Sequence, residues 1–367
     1  MRWITMTWPG GYPQFHISMA VMALVATIGC GRNESQVDKC QFQILVPTSM
    51  TVRDICFSAD GSWLVISATR HTSAGIERKC IEYSIAQMTQ NVLPFGIDSV
   101  ERWGTNMVIC DGENVSMLSS GLIDKSNLQP IAPLPLDEGA ISSFGLVETN
   151  EIDIATVPRW ISYEFERKKD LKPFVVGDSP DCAKLTTLFD RIQDSNMHIR
   201  AAAISRSVPI VAAISYSEEG KVGVAASVTS DKSLVTDQWK KFEFDADEPP
   251  AISIDPDGKY LACLSRSGTK FCLFALQNQS LAYTIDFEKK GDDFEVATQF
   301  AGQILEISLD GKFIGAVTIE GGVILELLTG KVVEHYAFPV TSVTLHPRER
   351  QIAFGLTKPG RVEVYTF

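Results

Sequence analysis

A short hairpin pattern recurs four times in this chain of 367 residues, and it limits the possible folds more than any other sequence feature. Each copy is a β-rich run, a polar turn that usually ends in Asp-Gly, and a second apolar run. Asp-Gly favours a tight hairpin because Gly tolerates a positive φ and Asp bonds its own backbone. The copies start at Ile55, Ile252, Ile307 and Val343 and read ICFSADGSWLVI, ISIDPDGKYLAC, ISLDGKFIGAV and VTLHPRERQIAF.

The residues around the third copy extend the pattern. A Glu-Gly-Gly turn, a run at 323–328, a Thr-Gly-Lys turn and a run at 332–338 follow it. The hairpin resembles the one that joins the first two strands of a WD40-type blade, and the Thr-Gly-Lys turn is typical of WD40 repeats. The turns at Gly311 and Glu349 are 38 residues apart, close to the family's period. The chain thus resembles WD40-like and YVTN-like β-propeller repeat proteins, which implies an all-β fold of four-stranded blades.

Seven blades account for the chain from residue 41 to residue 367. Six are predicted at 51–95, 98–135, 139–177, 198–245, 250–288 and 301–339. The seventh, at 341–367, has only three β-runs, and the run Gln41–Pro47 has no blade of its own. Pairing the two leaves no open sheet edge, so a propeller closed by its N-terminal strand is predicted. Six or eight blades and a two-sheet sandwich are the alternatives, because the Gly-His and Trp-Asp dipeptides are missing and Tyr365 stands where the tryptophan would be.

One inserted segment, near 180–193, has helical character. Ser179, Pro180 and Asp181 supply an N-cap, a first-turn proline and a first-turn acid. An apolar stripe at helical spacing follows, made of Leu185, Leu188, Phe189 and Ile192. We expect a short helix here that packs on the adjoining blade; partner docking is the alternative.

The N-terminus reads as a targeting segment. An uncharged apolar run at 17–28 has the length of a signal-peptide core and is short for a membrane span. The ending Ile28-Gly29-Cys30 resembles a bacterial lipobox, which implies lipid attachment at Cys30. We therefore expect a signal peptide at 1–29, a tether at 30–40, and export to the cell envelope with a lipid anchor. The alternatives are export without lipid, a short uncleaved anchor, a buried apolar helix, and a start at Met6.

Composition narrows the function classes. A net charge of −12 argues against nucleic-acid binding, which needs a basic face. The eight cysteines include no CxxC pair, so no zinc site is predicted. If residues 264–270 form a hairpin, Cys263 and Cys272 lie directly opposite each other, either as packed thiols or as a cross-strand disulfide.

No group of residues in the sequence has the pattern of a catalytic site. The five histidines are dispersed, and His71 is expected in a flexible loop. The Asp255-Pro256-Asp257-Gly258 segment lacks the further oxygen ligands of a calcium loop, and no nucleophile elbow or phosphate-binding glycine loop occurs. The sequence therefore predicts no catalytic, cofactor-binding or metal-binding residues.

Binding remains as the expected function. Propellers present the loops between blades, and between the second and third strands of a blade, around one mouth. We expect a monomeric interaction scaffold with a protein or peptide partner; a lactonase-like or glycan-acting hydrolase with its site in the central mouth, and a sensor domain, are the alternatives. The candidate binding rim consists of Arg70, His71, Asp137, Glu138, Trp160, Glu218, Glu219, Arg266, Lys358 and Arg361.

Overall fold

The fold was analysed in a computed structural model. It describes residues 39–47, 49–97, 99–103, 106–110, 114–119, 128–133, 198–204, 210–216, 222–228, 240–242, 251–265, 267–278, 280–288, 304–356 and 360–367. Every helix or strand within these ranges is a β-strand. The strands form six four-stranded antiparallel sheets, here called sheets I to VI.

The first three sheets follow one another along the chain. Sheet I contains β2 (Thr51–Phe57), β3 (Trp63–Thr72), β4 (Gly75–Ser84) and β5 (Thr89–Val92). Sheet II contains β6 (Ser99–Trp103), β7 (Asn106–Cys110), β8 (Asn114–Ser119) and β9 (Leu128–Pro133). Sheet III contains β10 (His198–Ile204), β11 (Ile210–Tyr216), β12 (Val222–Val228) and β13 (Lys240–Phe242).

The last three sheets include one that joins the two ends of the described chain. Sheet IV contains β14 (Ala251–Ile254), β15 (Tyr260–Leu264), β16 (Lys270–Ala275) and β17 (Ser280–Asp286). Sheet V contains β18 (Leu305–Ile307), β19 (Phe313–Thr318), β20 (Gly321–Glu326) and β21 (Val332–Tyr336). Sheet VI contains β22 (Ser342–Leu345), β23 (Gln351–Leu356) and β24 (Arg361–Thr366), and its fourth strand is β1 (Cys40–Leu45).

Sheets I to V each fall within one of the predicted repeats, with their strands in simple meander order, and sheet VI combines the three strands of the last repeat with β1. The predicted repeat at 139–177, the predicted helix near 180–193, and the targeting segment with Cys30 lie outside the described residues. Nowhere in the described part of the chain is there a helix long and apolar enough to cross a membrane.

Strand β1 completes sheet VI. It runs antiparallel to β24, with Ile44 opposite Val362, and the Val46 N–H donates to the Gly360 carbonyl at 3.2 Å. The Ile44 side chain is 1% exposed and packs with apolar residues of sheets I and VI. The outer strand of the last sheet is therefore supplied by the N-terminal side of the chain.

The first strands of the sheets lie beside one another. Strand β2 contacts both β6 and β22, while β18 contacts both β14 and β22. The buried apolar side chains of sheets IV, V and VI form one continuous cluster, and those of sheets I and VI form a second. Sheet VI thus packs against sheet V on one side and against sheet I on the other.

The hairpin between β15 and β16 forms where it was predicted. Cys263 and Cys272 are directly opposite each other, and both are free thiols rather than a disulfide. Burial raises the pKa of both thiols, so they stay protonated and act as small apolar side chains.

Candidate functional site

The sheets have two distinct ends, which we call the rim end and the turn end. At the rim end, first strands begin and the second strand turns into the third. At the turn end lie the Asp-Gly-type turns between first and second strands. Contacts between neighbouring sheets join like ends: the Ile319 N–H donates to the Gly268 carbonyl at the rim end, and His346 contacts Gly61 at the turn end.

Three of the predicted rim residues lie within the described ranges. Arg70 and His71 are in β3, where they continue the regular pairing with β4. The prediction that His71 lies in a flexible loop is therefore wrong. Arg361 is the first residue of β24 and also lies at the rim end. The remaining predicted rim residues are outside the described ranges: Asp137, Glu138, Trp160, Glu218, Glu219, Arg266 and Lys358.

Strands β3 and β4 form a hairpin that projects beyond its own sheet. We call the part from Arg70 to Glu77 the long hairpin. Both strands have ten residues, whereas no other described strand exceeds seven. The pairing of β3 with β2 stops at Thr69, so the strand continues for three more residues, about 10 Å at 3.3 Å per residue.

The tip and base of the long hairpin are held by side-chain bonds. The Thr72 hydroxyl donates to the Gly75 carbonyl at 2.9 Å and accepts from the Ala74 N–H at 3.3 Å. At the base, Arg70 forms an ion pair with Glu77 across the two strands and donates to Ser49 Oγ at 3.0 Å. The hairpin is therefore a preorganised projection.

Arg361 is engaged within sheet VI. Its Nε donates to Glu363 Oε1 at 2.7 Å, and Gln43 Nε2 of β1 donates to the same oxygen at 3.0 Å. The Tyr365 hydroxyl donates to the other carboxylate oxygen. Glu363 is fully buried, so its carboxylate is satisfied by these donors and helps to hold β1 on β24. Arg361 thus takes part in the packing of sheet VI at the rim end.

A buried ion pair spans the first strands of sheets II and V. Arg102 Nη2 lies 2.7 Å from Glu306 Oε1, and the side chains are 1% and 3% exposed. Arg102 Nη1 also donates to the Leu345 carbonyl at 3.3 Å, and Glu306 Oε2 accepts from the Leu345 N–H at 2.7 Å. Three sheets are thus tied together at one point. This pair was not predicted from the sequence, in which its one visible signal is an acidic residue inside the apolar run 304–307.

A repeated hydrogen bond joins neighbouring first strands. In three successive sheets, the residue two positions before the start of the hairpin turn accepts a bond from a backbone N–H of the next sheet. The bonds are Ile307 N–H to Ser253 Oγ at 3.4 Å, Leu345 N–H to Glu306 Oε2 at 2.7 Å, and Phe57 N–H to Thr344 Oγ1 at 3.4 Å. These inner polar side chains therefore satisfy backbone groups and hold the sheets in register.

Asp54 makes a related contact between sheets I and II. Its carboxylate accepts from the Val100 N–H and the Ile55 N–H, both at 3.0 Å. Asp54 is 2% exposed. The carboxylates of Asp54 and Glu306 therefore both have structural partners, and within the described ranges no three His, Cys, Asp or Glu side chains group as metal ligands.

His346 closes the turn end between sheets VI and I. Its Nδ1 accepts from the N–H groups of Arg348 and Glu349, so Nε2 carries the hydrogen and donates to the Gly61 carbonyl at 3.2 Å. The ring packs edge-on against Phe57, with the centroids 5.1 Å apart. Burial lowers the pKa of His346 below its usual 6.5 and favours the neutral ring. The sequence placed this histidine in a hairpin turn but gave no sign of its role.

Comparison with known proteins shows the fold and no closer relationship. No family model and no curated protein matches the chain. The β-propeller domain of Cps50 (Swd1) from Myceliophteria thermophila is similar at a TM-score of 0.54 and 14% identity, over 89% of this chain and 99% of that one. A chain of the mitotic checkpoint complex is similar at a TM-score of 0.56 and 9% identity, over 100% of this chain and 99% of that one. The protein has a β-propeller fold.

Proposed function

We propose that this protein is a non-catalytic binding module: a monomeric, seven-bladed propeller closed by β1 that presents its rim end to a protein or peptide partner. Six of the proposed blades correspond to sheets I to VI, and residues 139–177 would form the seventh. The pairing of β1 with β24 supports the closure, because the strand missing from the last repeat comes from the other end of the described chain.

The contrast between the first strands of the sheets, which we call the inner strands, and the rim end is the observation that carries the proposal. Along the inner strands, Glu306 and Asp54 have buried charged or backbone partners, which suits a packed centre. At the rim end, the long hairpin projects beyond its sheet and presents exposed residues from Thr72 to Ile76. An ordered, exposed hairpin on a rigid scaffold suits recognition better than bond-making chemistry. One of the similar chains was solved within a complex, and a binding role is in keeping with that.

We also propose that the protein is exported and anchored by lipid at Cys30, with residues 30–40 as the tether to the propeller. The apolar run at 17–28 and the Ile28-Gly29-Cys30 ending support this location. Mass spectrometry of the processed N-terminus tests it: a diacylglyceryl-modified Cys30 is expected. An intact Met1 or Met6 terminus without lipid would contradict it.

Site-specific photo-crosslinking in cells tests the binding function. A photoreactive amino acid replaces Ala74, at the tip of the long hairpin, or Thr329, an exposed residue of a turn at the opposite end. We expect a defined protein adduct from position 74 and none of that mass from position 329. The proposal is contradicted if both positions give the same adducts, or if the purified protein hydrolyses lactones or glycosides with turnover.

A further inference from the structure

The long hairpin and the two residues that follow it, Arg78 and Lys79, form a basic segment. From Arg70 to Lys79 the chain carries three cations and one anion, although its net charge is −12. Among the equivalent turns, that of sheet V carries the acidic Glu320, which accepts a hydrogen bond from the Glu288 N–H at 3.1 Å, whereas Lys270 and Arg361 follow the turns of sheets IV and VI. A locally basic projection on an acidic protein favours an acidic partner, because the attraction acts at the site while the rest of the surface repels.

The cations and the apolar residue of this basic segment are distributed over both faces of the β3–β4 pair. Arg70, Glu77 and Lys79 share one face, since they are paired across the strands or separated by two residues. Ile76 and Arg78 share the other. Gly96 packs closely against Arg78 at the base of the hairpin, since a Cβ added to Gly96 would lie 2.4 Å from the Arg78 Cβ. A two-stranded ribbon is thin, so a partner that contacts Ile76 is within reach of the positive charge on both faces.

Ile76 supplies an anchor next to these charges. Its residue exposure is 43%, and it lies beyond the point where β5 pairs with β4, which ends at the Ile81–Val92 pair. An exposed β-branched side chain on a preorganised strand loses little side-chain freedom on binding. We infer that the long hairpin is the principal docking element of the rim, and that its partner is an acidic protein segment carrying an aliphatic or aromatic side chain that packs on Ile76. This inference rests on the proposed binding function and names the chemistry of its partner.

Selection from random short peptides displayed on phage tests the inference without knowledge of the natural partner. The purified full chain is the bait, and the affinity of enriched synthetic peptides is measured by fluorescence anisotropy. We expect enrichment of peptides rich in Asp and Glu around one apolar residue, with an affinity that falls as salt is added.

Matched variants locate the binding site. Ile76→Asp should weaken peptide binding at least several-fold, whereas Val332→Asp, at a 45% exposed strand position of the turn end, should not. Lys79→Glu should slow association more than it speeds dissociation, and the control Lys331→Glu should change neither rate.

The outcomes separate this inference from the proposed function. Peptides that bind without acidic bias, or that lose affinity equally with Val332→Asp, overturn the inference and leave a binding module. Self-association of the chain that Ile76→Asp abolishes also overturns it, in favour of a second copy as the partner. Failure of every peptide to bind, together with an absence of adducts at position 74, overturns both.

Discussion

Breaking the buried pair between Arg102 and Glu306 should destabilise the protein far more than removing both charges together. The two groups are 2.7 Å apart and almost inaccessible to water. At an effective dielectric constant of about 20, that separation corresponds to an attraction of about 6 kcal/mol. The desolvation of each ion opposes this by several kcal/mol, so the net contribution of the intact pair is small.

Removing one partner abolishes the attraction but leaves the desolvation cost of the other, still buried ion. Arg102→Met leaves a carboxylate buried with one backbone donor, and Glu306→Gln leaves a guanidinium buried without its counter-charge. Each single change should lower the free energy of unfolding by about 3–5 kcal/mol. The double variant should cost much less than the sum, because the amide oxygen introduced by Glu306→Gln would still accept from the Leu345 N–H and no unpaired charge would remain.

Urea denaturation of the wild type, both single variants and the double variant gives the coupling energy. We expect a coupling of at least about 2 kcal/mol, towards the upper part of the usual range for residues in contact. Additive effects on the free energy of unfolding would refute the role of the buried Arg102–Glu306 pair in joining sheets II, V and VI. Losses below about 1 kcal/mol in the single variants, as for exposed ion pairs, would also refute it.

Three further predictions use the same unfolding assay. The pKa of His346 is lowered in the folded protein, so the neutral ring stabilises the protein above pH 6.5, and this stability is lost as the pH falls below 6.5. His346→Asn should therefore reduce the dependence of the unfolding free energy on pH in this range, and an unchanged pH dependence would contradict the assignment. Gly61 and Gly311 both have positive φ, but only at Gly61 would a Cβ collide with the His346 ring. Gly311→Ala should lower the free energy of unfolding by about 1–2 kcal/mol, and Gly61→Ala should lower it by about 1–3 kcal/mol more. Equal losses would exclude the predicted clash. Ile44→Ala should cost about 2–5 kcal/mol because this side chain anchors β1 in the core, while Leu45→Ala, 60% exposed, should cost less than about 0.5 kcal/mol; a neutral Ile44→Ala would mean that β1 adds little to sheet VI.

Local sequence signals predicted the strand order well. Asp-Gly turns and alternating apolar runs mark hairpins directly, so the sheets fall inside the repeats read from the sequence. The strand that completes sheet VI could be predicted by counting, because one repeat was a strand short and one run near Ile44 was left over.

Contacts between distant sheets could not be predicted in the same way. Nothing near Arg102 in the sequence indicates that its partner is Glu306, 204 residues away, because the pairing depends on how the sheets pack around each other. The role of His346 has the same origin, since its contact with Gly61 joins two turns 285 residues apart. At the rim, the polar composition around His71 suggested a loop, whereas strand pairing with β4 continues to the tip.

Hydrogen–deuterium exchange of the full chain, alone and with its crosslinked partner or an enriched peptide, tests the central claim most directly. We predict that binding slows exchange at the rim end, in residues 70–77 and in the neighbouring residues 49–50. The turn end, including residues 58–62 and 346–350, should be unchanged, as should the inner strands. Protection confined to the turn end or to the inner strands around Glu306 would contradict a rim-binding scaffold.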